Sequence, residues 1–429
     1  MRSSLVRRGL VFAALLAVGC SAPPGTGTTG GGSAGGTSGT AGGTSGTGGG
    51  STTAGGAAGG AAGGVVMPSP QAITSLSAGH QSTCAVLADK TVKCWGRNNE
   101  GQLGNGTTMD SVRPVAVTGL TTATQVSVGY EHACARLEDG TARCWGTSAT
   151  GQLGNNSTMR SLVPVQVMGL SNVASVHAGV YISCARLTDG TVSCWGRGGD
   201  TGNGIVANAL VPAAVQNLTN VTQLSVAPNS GAATPVHVCG VRGDGTAFCW
   251  GANDDGQCGD GTQNSARRPV NVMGITDALE ISAGGTHACA RRTSGLFCWG
   301  TAPQIGDGTV VRKFVPTAVM TTETVDQLEV GNSFSLARTP AKGLICWGQN
   351  GRGGCGDGAA FTPGGPSYPA PIASRQTDVA FFVAGGAHAC AYVAATQVTW
   401  CWGSNDFGEL GSGTPSQPSR TSTPDFVRW

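Results

Sequence analysis

Charge is scarce in this chain. Asp, Glu, Lys and Arg make up 11% of its 429 residues, and aromatic residues 5%. The 25 basic and 23 acidic residues nearly cancel. That balance argues against a nucleic-acid binder, which must meet a phosphate backbone with clustered positive charge. The longest apolar run, residues 9–19, is too short to cross a bilayer as a helix. Missing beyond residue 64 are a Gly-x-Ser-x-Gly elbow, a His-Glu-x-x-His pair and a phosphate-binding loop, so the commonest hydrolase, metalloprotease and nucleotide-site signatures are absent there. What the chain has instead is glycine, 72 residues of it, set among short apolar stretches. Such a composition predicts many short strands and tight turns, hence an all-β fold.

The first nineteen residues read as an export signal. Arg2, Arg7 and Arg8 precede the run GLVFAALLAVG, and the small residues Ala17, Val18 and Gly19 lead into Cys20. This resembles the lipobox of bacterial lipoproteins, although Ala17 stands where that motif prefers Leu. The resemblance implies cleavage before Cys20 and lipidation of Cys20; an ordinary signal peptide with an incidental cysteine is the alternative. Removing the leader leaves 22 basic against 23 acidic residues. Residues 20–64 follow as the lipidated Cys and a tract of Gly, Ser, Thr, Ala and a few Pro, unable to bury enough apolar surface to offset chain entropy. They are expected to form a disordered tether with a root-mean-square reach of about 35–40 Å. The expected location is the cell envelope, lipid-anchored in the outer membrane, periplasmic or surface-exposed.

Residues 65–429 are repetitive. Trp-Gly recurs at Trp95, Trp145, Trp195, Trp250, Trp299, Trp347 and Trp402, at spacings of 50, 50, 55, 49, 48 and 55 residues. Around most of them lie an Ala-Gly or Val-Gly, a short aliphatic strand, a turn such as Asp139-Gly140, a loop of the Gly-Gln-Leu-Gly kind and a Pro-x-x-Val segment. Each unit reads as four short strands, with proline confining the last to an edge. Seven four-stranded units predict radial closure into a seven-bladed β-propeller of antiparallel blades.

The same pattern resembles the repeat of the regulator of chromosome condensation family, over nearly all of residues 65–429. That family includes bacterial secreted propellers, among them the propeller-type β-lactamase inhibitor proteins, to which this chain is similar in architecture. The resemblance implies a seven-bladed propeller. It also implies guanine-nucleotide exchange on a small GTPase as one possible activity, but fold does not carry function, and an export signal separates the chain from cytosolic GTPases.

Six hairpins carry a cysteine on each arm: Cys84 and Cys94, Cys134 and Cys144, Cys184 and Cys194, Cys239 and Cys249, Cys289 and Cys298, Cys390 and Cys401. Counted out from the turn, the two cysteines stand opposite one another, within disulfide reach. Export favours their oxidation, each bridge being worth about 2–3 kcal/mol by chain entropy. Zinc binding by paired thiols is the alternative, without any short Cys-x-x-Cys to support it. In the sixth unit Leu336 takes the first cysteine's place, which leaves Cys346 expected as a free thiol. Cys258 and Cys355 replace the Leu of Gly-Gln-Leu-Gly and read as small buried hydrophobes.

No catalytic, metal or cofactor constellation emerges. His132, His237, His287 and His388 share one repeat position, so they read as structural hydrogen-bonding groups; His80 and His177 fall outside that register. Asp139, Asp189 and Asp244 sit in turns, and Asp254, Asp255 and Asp260 read as turn residues rather than calcium ligands. The Asp-Gly-Thr and Trp combination is superficially similar to a sialidase Asp-box, without the arginine cluster that chemistry requires. Surface that departs from the repeat remains. The loops after the repeat glycines should cluster on one face and carry His80, Gln81, Tyr130, Glu131, Val180 and Tyr181, together with the expanded stretch 228–235. They are the expected protein-binding residues, Tyr being favoured at interfaces. The loops around Asn98 and Asn99 are expected on the opposite face, and residues 361–375 as a Pro- and Gly-rich insertion. The reading is a monomeric, lipid-anchored protein-recognition module with an unknown protein partner. A carbohydrate-active or other enzyme using the propeller's central mouth is the alternative.

Overall fold

The computed structural model describes residues 70–227, 236–359, 366–413 and 420–429, all within the unit Val65–Trp429. The export signal, Cys20 and the tether lie outside the described residues, as does the stretch 228–235. Seven four-stranded antiparallel sheets follow one another, blades 1 to 7 at residues 73–116, 123–166, 173–214, 221–271, 278–318, 327–373 and 381–426. They make a seven-bladed β-propeller. In every blade the strands lie in chain order, so the Pro-x-x-Val strand closes its own blade. In blade 1 these are β1 (Ile73–Ala78), β2 (Ser82–Leu87), β3 (Val92–Gly96) and β4 (Ser111–Ala116). The second and third strands are almost wholly buried, whereas β4 and its equivalents alternate towards solvent as an outer edge must. Part of the supposed insertion in blade 6 is regular: Ser367–Ala373 is its outer strand, and residues 360–365 lie outside the described residues.

The repeat signature has a physical cause at each position. All seven Trp are fully buried, and each indole N–H donates to a backbone carbonyl in the long loop of the preceding blade, at 2.7–2.9 Å. The glycine after each Trp has φ between +100° and +111°, a conformation closed to other residues. At Gly96 a Cβ would also stand 2.4 Å from the carbonyl of Gln81. The glycine that ends the first strand faces a different obstacle. A Cβ on Gly129 would lie 2.1 Å from the carbonyl of Gly179 in the next blade, and one on Gly385 would lie 2.5 Å from that of Gly79. Neighbouring blades touch there backbone to backbone.

The histidine position links blades too. His132 Nε2 lies 2.8 Å from Ser183 Oγ, whose hydroxyl donates to the Gln152 carbonyl at 2.9 Å, so the imidazole must be the donor. His388 makes the same link to Thr83, and His287 stands 2.9 Å from Ser335. Where Ile182 or Phe334 replaces the histidine, Val238 or Ala389 replaces the hydroxyl of the following blade, whereas His237 keeps its imidazole opposite Ala288. In the turns, the carboxylates of Asp139, Asp189 and Asp244 accept the backbone N–H of Thr141, Thr191 and Thr246. Asp260 likewise caps Thr262, and Asp255 pairs with Arg312.

Cysteines pair within hairpins, Cys84 with Cys94, Cys134 with Cys144, Cys184 with Cys194, Cys239 with Cys249, Cys289 with Cys298 and Cys390 with Cys401, at Cα separations of 4.0–4.1 Å. Blade 6 corrects one expectation. Leu336 does oppose Cys346, but Cys346 is not free: it bonds Cys355, at a Cα separation of 5.4 Å. The reason lies in the long loop, whose Leu position packs against the third-strand cysteine of its own blade, as Leu103 and Cys94 share one core cluster. With no partner across the hairpin, Cys346 takes the loop residue instead. Cys258 holds that loop position in blade 4, where Cys249 is already bonded to Cys239; it remains a buried thiol, pushed up to about 12 by burial.

Candidate protein-binding face

Because strands alternate in direction, the links from first to second strand and from third to fourth leave a blade at the same end. One face therefore gathers two loops from every blade, and the short second-to-third hairpins occupy the other. His80, Gln81, Tyr130, Glu131 and Tyr181 all lie on the first face, half-buried. Asn98 and Asn99 lie there as well, not opposite, since their loop joins third to fourth strand. Asn98 is used up internally: its Oδ1 accepts the N–H of Leu103 and its amide donates to the Met109 carbonyl. Val180 is fully buried and contributes no surface.

The face is built from neighbouring blades held rigidly. The backbone N–H of His80 donates to Gly129 and that of Tyr130 to Gly179, at 3.1 and 3.0 Å. The rings of His80 and Tyr130 stack, centroids 4.5 Å apart. The Arg197 guanidinium covers the Tyr181 ring at 4.5 Å while pairing with Asp200. Arg97 donates to Gln81 Oε1 at 2.6 Å and lies 5.0 Å over the Phe407 ring. Sequence reading missed Arg97, Arg197 and Phe407. Their signal was visible, since the residue after Trp-Gly is Arg in blades 1 and 3 only.

Burial, aided by Arg97 and Arg352, holds His80 down at about 4, so the stack is uncharged at neutral pH. Burial raises the Tyr130 hydroxyl, with Glu131 adding to it, and raises the Glu131 carboxyl, with Glu100 adding to it.

A second site lies on the axis, a polar cavity of about 380 Å³ lined by the innermost strands. Much of its lining is committed to the fold. Ser77, Ser127, Ser225 and Ser282 each accept a backbone N–H from the following blade, at 2.9–3.0 Å. His177 and Glu329 occupy the same ring position in blades 3 and 6. His177 bonds Ser175, and burial lowers it to about 4. Burial, with Glu280 alongside, raises Glu329 to about 8, while Glu280 itself pairs with Arg291 at 3.0 Å.

Comparison with known proteins bears on the architecture. A model of the Regulator of chromosome condensation (RCC1) repeat matches residues 91–136, 139–186 and 244–291, and a second model of that repeat matches 73–102 and 123–152. The chain is 28% identical over 226 residues to the E3 ubiquitin-protein ligase HERC2 of Homo sapiens, covering 50% of this chain and 5% of that protein. It is 30% identical over 185 residues to the mitochondrial RCC1 domain-containing protein RUG3 of Arabidopsis thaliana, 41% of each. The chain thus spans less than half of either relative. Among solved structures, yeast RCC1 (Prp20), determined bound to Kap60, aligns with a TM-score of 0.66 at 20% identity, over 83% of this chain and 85% of that one. Segments of the chain thus match models of the RCC1 repeat, and its fold is similar to that of the yeast RCC1 propeller.

The buried histidines make stability depend on pH. His80, His132, His177 and His237 are lowered to about 4, and His287 and His388 to about 3, chiefly by burial. Below about pH 6.5 the unfolded chain takes up protons that the native state refuses, so stability falls as pH falls from there to about 4. Glu329, at about 8, and Glu409, at about 7, act in the opposite sense above about pH 4.5, as do Glu131, Asp200 and Glu280, which burial also raises, but these five face six histidines. Thermal unfolding should give a lower Tm at pH 4.5 than at pH 7. An equal or higher Tm at pH 4.5 would contradict the assignment.

Proposed function

We propose that this chain is an extracytoplasmic, lipid-anchored propeller that recognises a protein partner through the face bearing His80, Gln81, Tyr130, Glu131 and Tyr181. One observation carries the reading. Within two residues of a glycine packed against the next blade, blades 1 to 3 place large side chains, including the two tyrosines, and in blades 1 and 2 the backbone there is fixed by inter-blade hydrogen bonds. Pre-positioned aromatic groups lose little freedom on binding and supply much of the contact energy at interfaces. Relatives with this fold are consistent with such use: the yeast protein was determined bound to Kap60. An enzymatic use of the axial mouth has Glu280, Glu329 and His177 in its favour. They stand on three different blades, with Glu280 and His177 already bonded within their own blades.

Two experiments test the proposal. Cells labelled with palmitate should yield labelled wild-type protein in the membrane fraction and unlabelled, released protein for Cys20→Ala; wild-type protein without label would overturn the anchor. With a partner recovered from the envelope, Tyr130→Ala combined with Tyr181→Ala should weaken binding roughly thirtyfold, the loss of about 2 kcal/mol. Because both rings are half-buried, Tm should fall only slightly. Unchanged affinity would overturn the choice of face.

A further inference from the structure

We propose that the hollow between blades 6, 7 and 1, on this same face, is a carboxylate pocket that receives an Asp or Glu side chain of the protein partner. The inference rests on the reading of that face as protein-binding and assigns its chemistry. The hollow arises from the repeat itself. The two positions after the first-strand glycine are bulky in blades 1 and 2, as His80-Gln81 and Tyr130-Glu131, but small in blades 5 to 7, as Gly285-Thr286, Asn332-Ser333 and Gly386-Ala387. Where the bulk is missing, a cavity of about 470 Å³ opens between His80 and Gln81 on one side and Asn332 and Ser333 on the other, with Phe334 among its lining residues.

Its charge is set by an inversion within the repeat. At one position of the long loop, blades 1 and 4 carry Glu100 and Asp255, each paired with an arginine of the following blade, Arg160 and Arg312. Blade 6 carries Arg352 at that position, paired instead with Asp406 of blade 7 at 3.0 Å. The Arg352 side chain remains about half exposed, at 47%, which leaves room for a second carboxylate. Arg420 lines the same hollow, and Arg97 reaches its edge through Gln81. Two guanidinium groups, Arg352 and Arg420, therefore line the space, with the carboxylate of Asp406 on Arg352 and the Glu409 carboxyl held by Ser404. The Gln81 oxygen accepts from Arg97, which leaves its amide N–H groups to donate. Planar guanidinium forks with amide donors suit a carboxylate, and the apolar Phe334 suits the methylenes of its side chain. An ammonium group would meet the like charge of both arginines.

The test pans a phage-displayed random dodecapeptide library against the full-length protein, then measures selected peptides on wild type, Arg352→Glu, the milder Arg352→Gln, and Tyr130→Ala. Selected peptides should be enriched in Asp and Glu. Arg352→Glu should weaken them at least about tenfold, with Arg352→Gln intermediate. Replacing the peptide's key acid by its amide should cost affinity on wild type but little on Arg352→Gln. Peptides without acidic excess, or acidic peptides that bind Arg352→Glu as well as wild type, would overturn the pocket; if those peptides still lose affinity to Tyr130→Ala, the face stands without it. Peptides indifferent to both Tyr130 and Arg352, or no enrichment at all, would overturn pocket and face together.

Discussion

The indole N–H of one blade bound to a backbone carbonyl of the blade before it is the contact on which the rest of the molecule depends. Every blade comes from one unbroken stretch of chain, so no strand is shared between neighbours and none locks the first blade to the last. Ring closure between blades 7 and 1 uses contacts that also occur at internal seams, the Trp bond at all of them. Trp95 donates to the Glu409 carbonyl, Gly386 to that of Gly79, and Thr83 meets His388. Each is made in a water-free seam, where an unpaired polar group would cost about 1–3 kcal/mol. The propeller is thus held by seven similar side-to-side agreements, with a hairpin disulfide stiffening six blades and a loop disulfide the remaining one.

That constraint separates what can vary from what cannot. Trp and the glycine after it are tied to geometry in all seven blades, and the first-strand glycine in six, Ala227 standing in its place in blade 4. The side chains at the two positions that follow carry fewer such ties, and there the blades diverge, from stacked rings in blades 1 and 2 to the open, arginine-edged hollow at blades 6, 7 and 1. A rigid ring that displays unlike side chains at equivalent points suits recognition of a shaped, chemically uneven surface.

Much of this was legible in the residues, and the failures have physical reasons. Seven Trp-Gly pairs sufficed for the blade count because each marks a left-handed glycine and a buried indole. The shared histidine position was visible, but not its partner: the hydroxyl lies in the following blade, and the covariation of Ile182 with Val238 makes sense only once the seam is known. Cys346 was misread because counting along a hairpin sees cross-strand neighbours and not a loop folding back on its own third strand. The loops around Asn98 and Asn99 were put on the wrong side for want of strand parity, since first and third strands run the same way. Charge inversion at Arg352 was present in the sequence, yet it acquires meaning only beside Asp406 and Arg420.

The most direct test of this account is urea unfolding of Trp95→Phe, with Trp400→Phe as a control away from the seam. Phenylalanine keeps most of the buried ring but removes the indole donor, leaving the Glu409 carbonyl with the Thr83 hydroxyl alone. Closure by these contacts predicts a loss of about 1–3 kcal/mol for Trp95→Phe, combining the lost hydrogen bond and a small cavity, and under 1 kcal/mol for Trp400→Phe. Equal stability of Trp95→Phe and wild type would contradict it.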